Sequence, residues 1–260
     1  MKCLIATQAI KICFSFKHPL FFLALGSLTL AAGCVTRRAP EAPPVASKPA
    51  PFVTVTNAVT APASKTIAAV SNSPAAAAPA GTQTLFDGKT LKGWAITDFA
   101  GHGEVKVEDD KLLLEMGVMT GVTYTNPIPK TNYEIELDAM RVEGSDFFCG
   151  LTFPFGDNPC SLVLGGWGGG VVGLSSIDGE DAAHNETSKF MNFDKGRWYH
   201  VRLRVTPAKI EAWVDKDKLV DLPTQDRSFS IRIEMELSKP LGIATWSTTG
   251  AIKNVWLRKL

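Results

Sequence analysis

The chain has 260 residues, 45% of them hydrophobic, with 27 Lys and Arg against 26 Asp and Glu. So even a balance, with no block of like charge, excludes a polybasic nucleic-acid binder or membrane-surface protein, so no nucleic-acid partner is expected. The length supports one core of ordinary size, and 22 Gly with 16 Pro point to a chain rich in turns and connections.

The first 33 residues carry Lys2, Lys11 and Lys17 and no acidic side chain. From Pro19 to Gly33 runs the apolar stretch PLFFLALGSLTLAAG, ending in small residues, the pattern of a secretory signal. It is shorter than the roughly 20 apolar residues that a membrane-spanning helix needs. The residues LAAGC resemble the lipobox of bacterial lipoproteins, which implies lipidation of Cys34 and a membrane partner through that anchor. Ordinary secretory cleavage with Cys34 unmodified is the alternative reading. Val35 in place of Asp implies sorting to the outer membrane, facing the periplasm or the exterior.

Residues 34–83 are rich in Ala, Pro, Thr, Ser and Val, with Phe52 almost alone as a large apolar side chain. Such a composition buries too little surface to offset its ordering entropy, and its prolines favour an extended tether. The globular part is expected over 84–260. Without the leader the chain has 24 basic and 26 acidic residues, and 84–260 has 20 against 25, so the domain is mildly acidic.

Within 84–260, Gly, Asp, Asn and Pro recur every eight to twelve residues, and no window holds a helical period. The runs EVKV (104–107), KLLLE (111–115), YEIEL (133–137), YHVRLRV (199–205), KIEAWV (209–214), LGIATW (241–246) and VWL (255–257) read as short strands. Many short strands separated by regular turns predict an all-β sandwich or jelly roll of antiparallel sheets. Alternation puts Tyr199, Val201, Leu203 and Val205 on one face and His200, Arg202 and Arg204 on the other. In the next strand Ile210, Ala212 and Val214 face the core, while Glu211 and Trp213 face outward. Trp213 and Arg202 thereby become candidate sugar contacts, since an aromatic ring can cover the apolar face of a pyranose.

Once Cys3 and Cys13 leave with the leader and Cys34 carries lipid, Cys149 and Cys160 remain. An even pair in an exported domain suggests a disulfide. A hairpin around PFGDNP, centred between Pro154 and Phe155, would set the two cysteines opposite each other; two buried free thiols are the alternative.

The segments LFDGKTLKGW (85–94), VEDDKLLLE (107–115), NYEIELDAM (132–140), GRWYHVRLRV (196–205), IEAWVDKDKLVDL (210–222) and GIATW…IKNVWLRKL (242–260) resemble, in order and spacing, the 3-keto-disaccharide hydrolase domain. That resemblance implies a concanavalin-like jelly roll and cleavage of 3-keto glycosides. A ketone at C3 acidifies the C2–H, so the chemistry needs a base near C2, an acid for the leaving group and a group that stabilises an enolate. A divalent cation would supply the last and is the candidate cofactor. The family carries a strand of the type YEVQILD with a Glu and an Asp; the corresponding stretch here, CSLVLGGWGGGVVGL (160–174), has neither.

The densest polar cluster is SSIDGEDAAHNETSKF (175–190). Asp178, Asp181 and Glu186 are the candidate acid–base residues, with His184 and Asn185 as substrate contacts; the same oxygens could hold a hard cation, although the spacing matches no calcium motif. Trp167, set among Gly165, Gly166, Gly168, Gly169 and Gly170, is either a stacking platform at a site lip or the cover of a tight turn. Glu134, Glu136 and Asp138, and likewise Glu234 and Glu236, are expected on strands. The leading function is cleavage of a modified glycoside; the alternative is a noncatalytic carbohydrate-binding or adhesion module of laminin-G type.

Overall fold

The computed structural model describes residues 81–260. The leader, Cys34 and nearly all of the tether lie outside the described residues. The domain is an all-β jelly roll of two antiparallel sheets. Its strands are β1 (Gln83–Thr84), β2 (Trp94–Ile96), β3 (Val105–Glu108), β4 (Lys111–Leu114), β5 (Met119–Tyr124), β6 (Tyr133–Gly144), β7 (Cys149–Phe155) and β8 (Asn158–Gly166). They continue with β9 (Val171–Ser175), β10 (Lys189–Phe190), β11 (Trp198–Val205), β12 (Lys209–Val214), β13 (Asp217–Pro223), β14 (Gly242–Trp246) and β15 (Thr248–Lys259).

The larger sheet runs β13-β12-β11-β6-β15-β4-β3, with β1 beside β15; the smaller runs β10-β9-β8-β7-β14-β5-β2. Period-two alternation builds the core between them. Leu137, Tyr199, Val201 and Leu203 come from one sheet and Leu151, Phe153, Leu162, Leu164 and Leu174 from the other, all buried. The buried Tyr133 hydroxyl of β6 donates to the Pro154 carbonyl of β7, tying sheet to sheet at 2.5 Å.

Two sequence expectations are overturned here. The β7–β8 hairpin turns at Gly156-Asp157, so Cys149 pairs with Leu164 and Cys160 with Phe153. Residues opposite one another must sum to a constant along an antiparallel pair, and the turn sits two positions later than expected; the cysteines are therefore four positions out of register. Both are free and buried, and burial pushes each thiol pKa up to about 12. The second correction concerns Glu234 and Glu236, which lie on a 3-10 helix, Ile233–Ser238, rather than on a strand.

The outer face of the larger sheet is a satisfied charge lattice. Arg204 Nε donates to Glu134 Oε2 at 2.8 Å and Arg258 holds Oε1, so the carboxylate is 1% exposed. Burial opposes the charge on Glu134, but the two arginines outweigh it and hold its pKa below the ordinary value. His200 Nδ1 lies 2.9 Å from Asp138 Oδ1, and its Nε2 lies 3.4 Å from Glu136 Oε2. The hydrogen bond to Asp138 raises the His200 pKa above 6.5 against partial burial, and the charges of Glu136 and Asp215 add to it. A raised folded-state pKa contributes stability that is fully present below the unfolded value of about 6.5 and lost as pH rises through the folded one. Urea midpoints are therefore expected to fall from pH 6 to pH 8, and His200→Gln is expected to flatten that slope; an unchanged slope would assign it to another group.

Candidate functional site

On the outer face of the smaller sheet lies an open cleft of about 180 Å³. Alternation that sends Leu151, Leu162 and Leu174 inward sends Gly150, Ser161, Val163 and Ser175 outward to form its floor. Phe147 and Trp246, 6.5 Å apart between ring centroids, make one wall with Met119 and Met235. Trp167, Asp146, Arg232 and Glu234 complete the rim.

The Trp167 loop is assembled around Arg141. Alternation along β6 places Tyr133, Ile135, Leu137, Ala139 and Arg141 on one buried face. The Arg141 guanidinium makes no direct ion pair there, although the Asp146 charge favours it; it donates to the carbonyls of Asp146, Gly165 and Gly169 at 3.0, 3.1 and 2.8 Å and to Phe193 at 3.3 Å. It also lies 5.0 Å from the Phe148 ring centroid and 5.8 Å from that of Phe193. Gly165 sits so close, with φ +76°, that a Cβ would strike the guanidinium. Burial pulls the Arg141 pKa down, yet a guanidinium stays charged in a protein. Asp146 completes the frame: Oδ1 accepts from the Phe147 N–H at 2.7 Å and Oδ2 from the Gly168 N–H at 3.2 Å. The loop thus holds Trp167 at φ +50°, 41% exposed, over the cleft.

Glu234 enters from the 3-10 helix. Arg232 Nη2 donates to its Oε1 at 2.9 Å, and Arg232 Nη1 donates to Asp181 Oδ2 at 3.1 Å. Arg232 thereby holds the Glu234 pKa below the ordinary carboxylate value. Glu234 Oε2 and Ser175 Oγ are buried at the cleft and have no hydrogen-bond partner within the protein. Ser161 Oγ is paired with Thr152 Oγ1 at 2.9 Å. An aromatic wall beside unpaired oxygens suits a ligand with one apolar face and several hydroxyls.

The sequence candidates distribute differently from expectation. Trp167 lines the cleft. Asp181 acts on it only through Arg232; burial opposes its charge, but His184 at 2.7 Å, the Ala183 N–H and Arg232 hold its pKa low. Asp178 and Glu186 both clamp Arg227, and Asp178 also accepts from the Ser228 N–H, which lowers its pKa. Neither lines the cleft. Asn185 is a loop staple, its amide donating to the carbonyls of Leu174, Glu180 and Asp181. Arg202 and Trp213 lie on the larger sheet, outside the cleft. There the Arg202 guanidinium stacks 3.9 Å from the Trp213 ring centroid, and Arg204 and Lys218 also approach it, so that indole face is covered. Among the described residues no three His, Cys, Asp or Glu side chains converge to hold a metal ion. The acidic loop has turned its oxygens to Arg227 and Arg232 instead, so the expected cation has no donor set in it.

Comparison with known proteins gives one family and a set of folds. A profile described as the 3-keto-alpha-glucoside-1,2-lyase-like domain matches residues 81–258. No curated protein matches the sequence. A Parabacteroides distasonis protein assigned as a glycosyl hydrolase is 17% identical, with 69% of this chain and 94% of that one aligned and a TM-score of 0.46. A carbohydrate binding module of Bacillus subtilis is 13% identical over 64% of this chain and 96% of its own, TM-score 0.44. The Crh5 transglycosylase solved with NAG is 12% identical over 69% and 84%, TM-score 0.49.

Proposed function

Because the chain belongs, over residues 81–258, to the 3-keto-alpha-glucoside-1,2-lyase-like domain family, we propose that its cleft takes up a glycoside bearing a ketone at C3 and cleaves it by elimination, with Glu234 as base. The observation that carries this reading is the Glu234 side chain at the cleft rim, one carboxylate oxygen fixed by Arg232 and the other buried without a hydrogen-bond partner. The ketone makes the neighbouring C2–H acidic. Oε2 takes that proton, and the C–H electron pair moves into an enolate across C2 and C3. The enolate collapses to restore the C3 carbonyl, a double bond forms between C1 and C2, and the glycosidic C1–O bond breaks. The leaving oxygen departs with its electron pair and takes a proton from water. Arg232 keeps the base ionised at neutral pH, the state in which it can accept a proton. Ser161 and Ser175 face the hydroxyls, and Phe147 and Trp246 face the apolar side of the ring.

A second reading, carbohydrate binding without cleavage, is favoured by one observation. Glu234 and Asp181 are both held below the ordinary carboxylate range, so neither is a proton donor to a leaving group at neutral pH. We test the two by incubating the full chain with a 3-keto glucoside and with its unoxidised parent. Enone absorbance and aglycone release are followed, and binding is measured in parallel. Release from the keto sugar alone supports elimination; binding of either sugar with no release supports the binding module. The leader and Cys34 extend the proposal to a lipid-anchored protein of the cell envelope.

A further inference from the structure

Beyond the residues that line the cleft, one further aromatic ring stands exposed on the same sheet. Phe190 is 77% exposed on the edge strand β10. It pairs with Val171 of β9, which shares a face with Gly173 and the cleft residue Ser175. Directly paired residues point the same way, so Phe190 stands on the cleft side of the sheet. Its ring lies across Gly170, where any Cβ would strike it, and Gly170 is three residues from Trp167. Thr187 and the Ala182 carbonyl stand over Gly173, so a ligand reaching Phe190 from the floor would pass beside Trp167 and Val171 rather than over Gly173. From β14, which carries Trp246, to β10 are four strand steps, about 19 Å at the usual strand spacing. That exceeds two pyranose rings laid end to end.

The chemistry of the strip selects its occupant. Exposed rings alone would suit any apolar partner. Here Trp167 lines the same cleft as Ser175 Oγ and Glu234 Oε2, two buried oxygens without partners, which an apolar protein face would leave unsatisfied. A chain of sugars offers both a stacking face and hydroxyls. We propose that Trp167 and Phe190 form an outer subsite, so that the ligand is an oligosaccharide of three or more units whose distal ring stacks on Phe190. The proposal rests on the carbohydrate reading of the cleft and extends it.

Malto- and cello-oligosaccharides of two to five units, titrated against the full chain by calorimetry, give the test. Affinity is expected to rise about tenfold between two and four units in one of the series, equivalent to about 1.4 kcal/mol. Phe190→Ala removes that rise and Phe190→Trp keeps it. Phe190→Leu, which retains the apolar cover of Gly170, should lose the rise while melting like the parent. Affinity that stops growing at two units, or a rise that survives in Phe190→Ala and Phe190→Leu, overturns the outer subsite alone. No binding at any length overturns the outer subsite; if the 3-keto glucoside and its parent also fail to bind, the carbohydrate reading falls with it.

Discussion

Glu234→Gln is expected to lower turnover of a 3-keto glycoside by about a hundredfold or more, the usual range for removing a positioned base, while ligand affinity changes little. The amide keeps an oxygen for the Arg232 hydrogen bond but has no lone pair basic enough to take a proton from carbon. The pH profile carries the same argument. A base must be ionised to act, and Arg232 holds the Glu234 pKa below its usual 4.5. Turnover should therefore be flat through neutral pH and fall only on the acid side of 4.5 as the carboxylate gains its proton. An acid limb near pH 6 or 7 would name a different base. Equal turnover in the Gln variant would remove Glu234 from the chemistry.

Arg141→Met is expected to be the most destabilising single change at the site. Methionine matches the length of the stem but abandons the carbonyls of Asp146, Gly165, Gly169 and Phe193. Leaving a buried acceptor unpaired costs about 1–3 kcal/mol, and several are left here, so a loss of several kcal/mol is expected. For a domain of this size that lowers the melting temperature by roughly 10 °C. The same carbonyls set the path of the Trp167 loop, so ligand affinity should fall together with stability. Arg141→Lys should recover only part of the loss, because an ammonium cannot span several divergent acceptors in the plane of a guanidinium. A Met variant that melts with the parent would show that the loop closes without its cation.

The strands were legible because alternation is a local property of the chain. Tyr199 to Val205 and Ile210 to Val214 alternate on the faces expected of them. The hairpin register was not, because a two-residue turn at Gly156-Asp157 and a wider one centred earlier share the same residues PFGDNP, and only pairing across the strands decides between them. Glu234 was hidden for a related reason. The sequence IEMEL alternates as a strand would, yet it folds as a 3-10 turn whose register brings Met235 and Glu234 to the cleft. Arg141 carried a signal that a longer reading of β6 detects: continued past Met140, the alternation puts a cation at a core position. Ser161 and Ser175 give no such signal, since a small hydroxyl in an apolar run looks alike at a floor and in a core. The acidic loop 178–186 stood out by composition, and its carboxylates are engaged by arginines distant in the chain, Arg227 and Arg232.

The position of β15 bears on how the domain forms. Thr248–Lys259 lies between β6 and β4 and receives β1 as well, so the latest strand in sequence is an interior strand of its sheet. Until residues 248–259 are available, β6 and β4 present open edges to solvent and the larger sheet is two fragments. Closure joins segments more than a hundred residues apart, the slow class of pairing in which loop entropy is lost before contacts repay it. During synthesis the larger sheet therefore cannot close before β15 emerges, and a chain cut before Thr248 exposes two unpaired strand edges, the setting in which β-proteins aggregate.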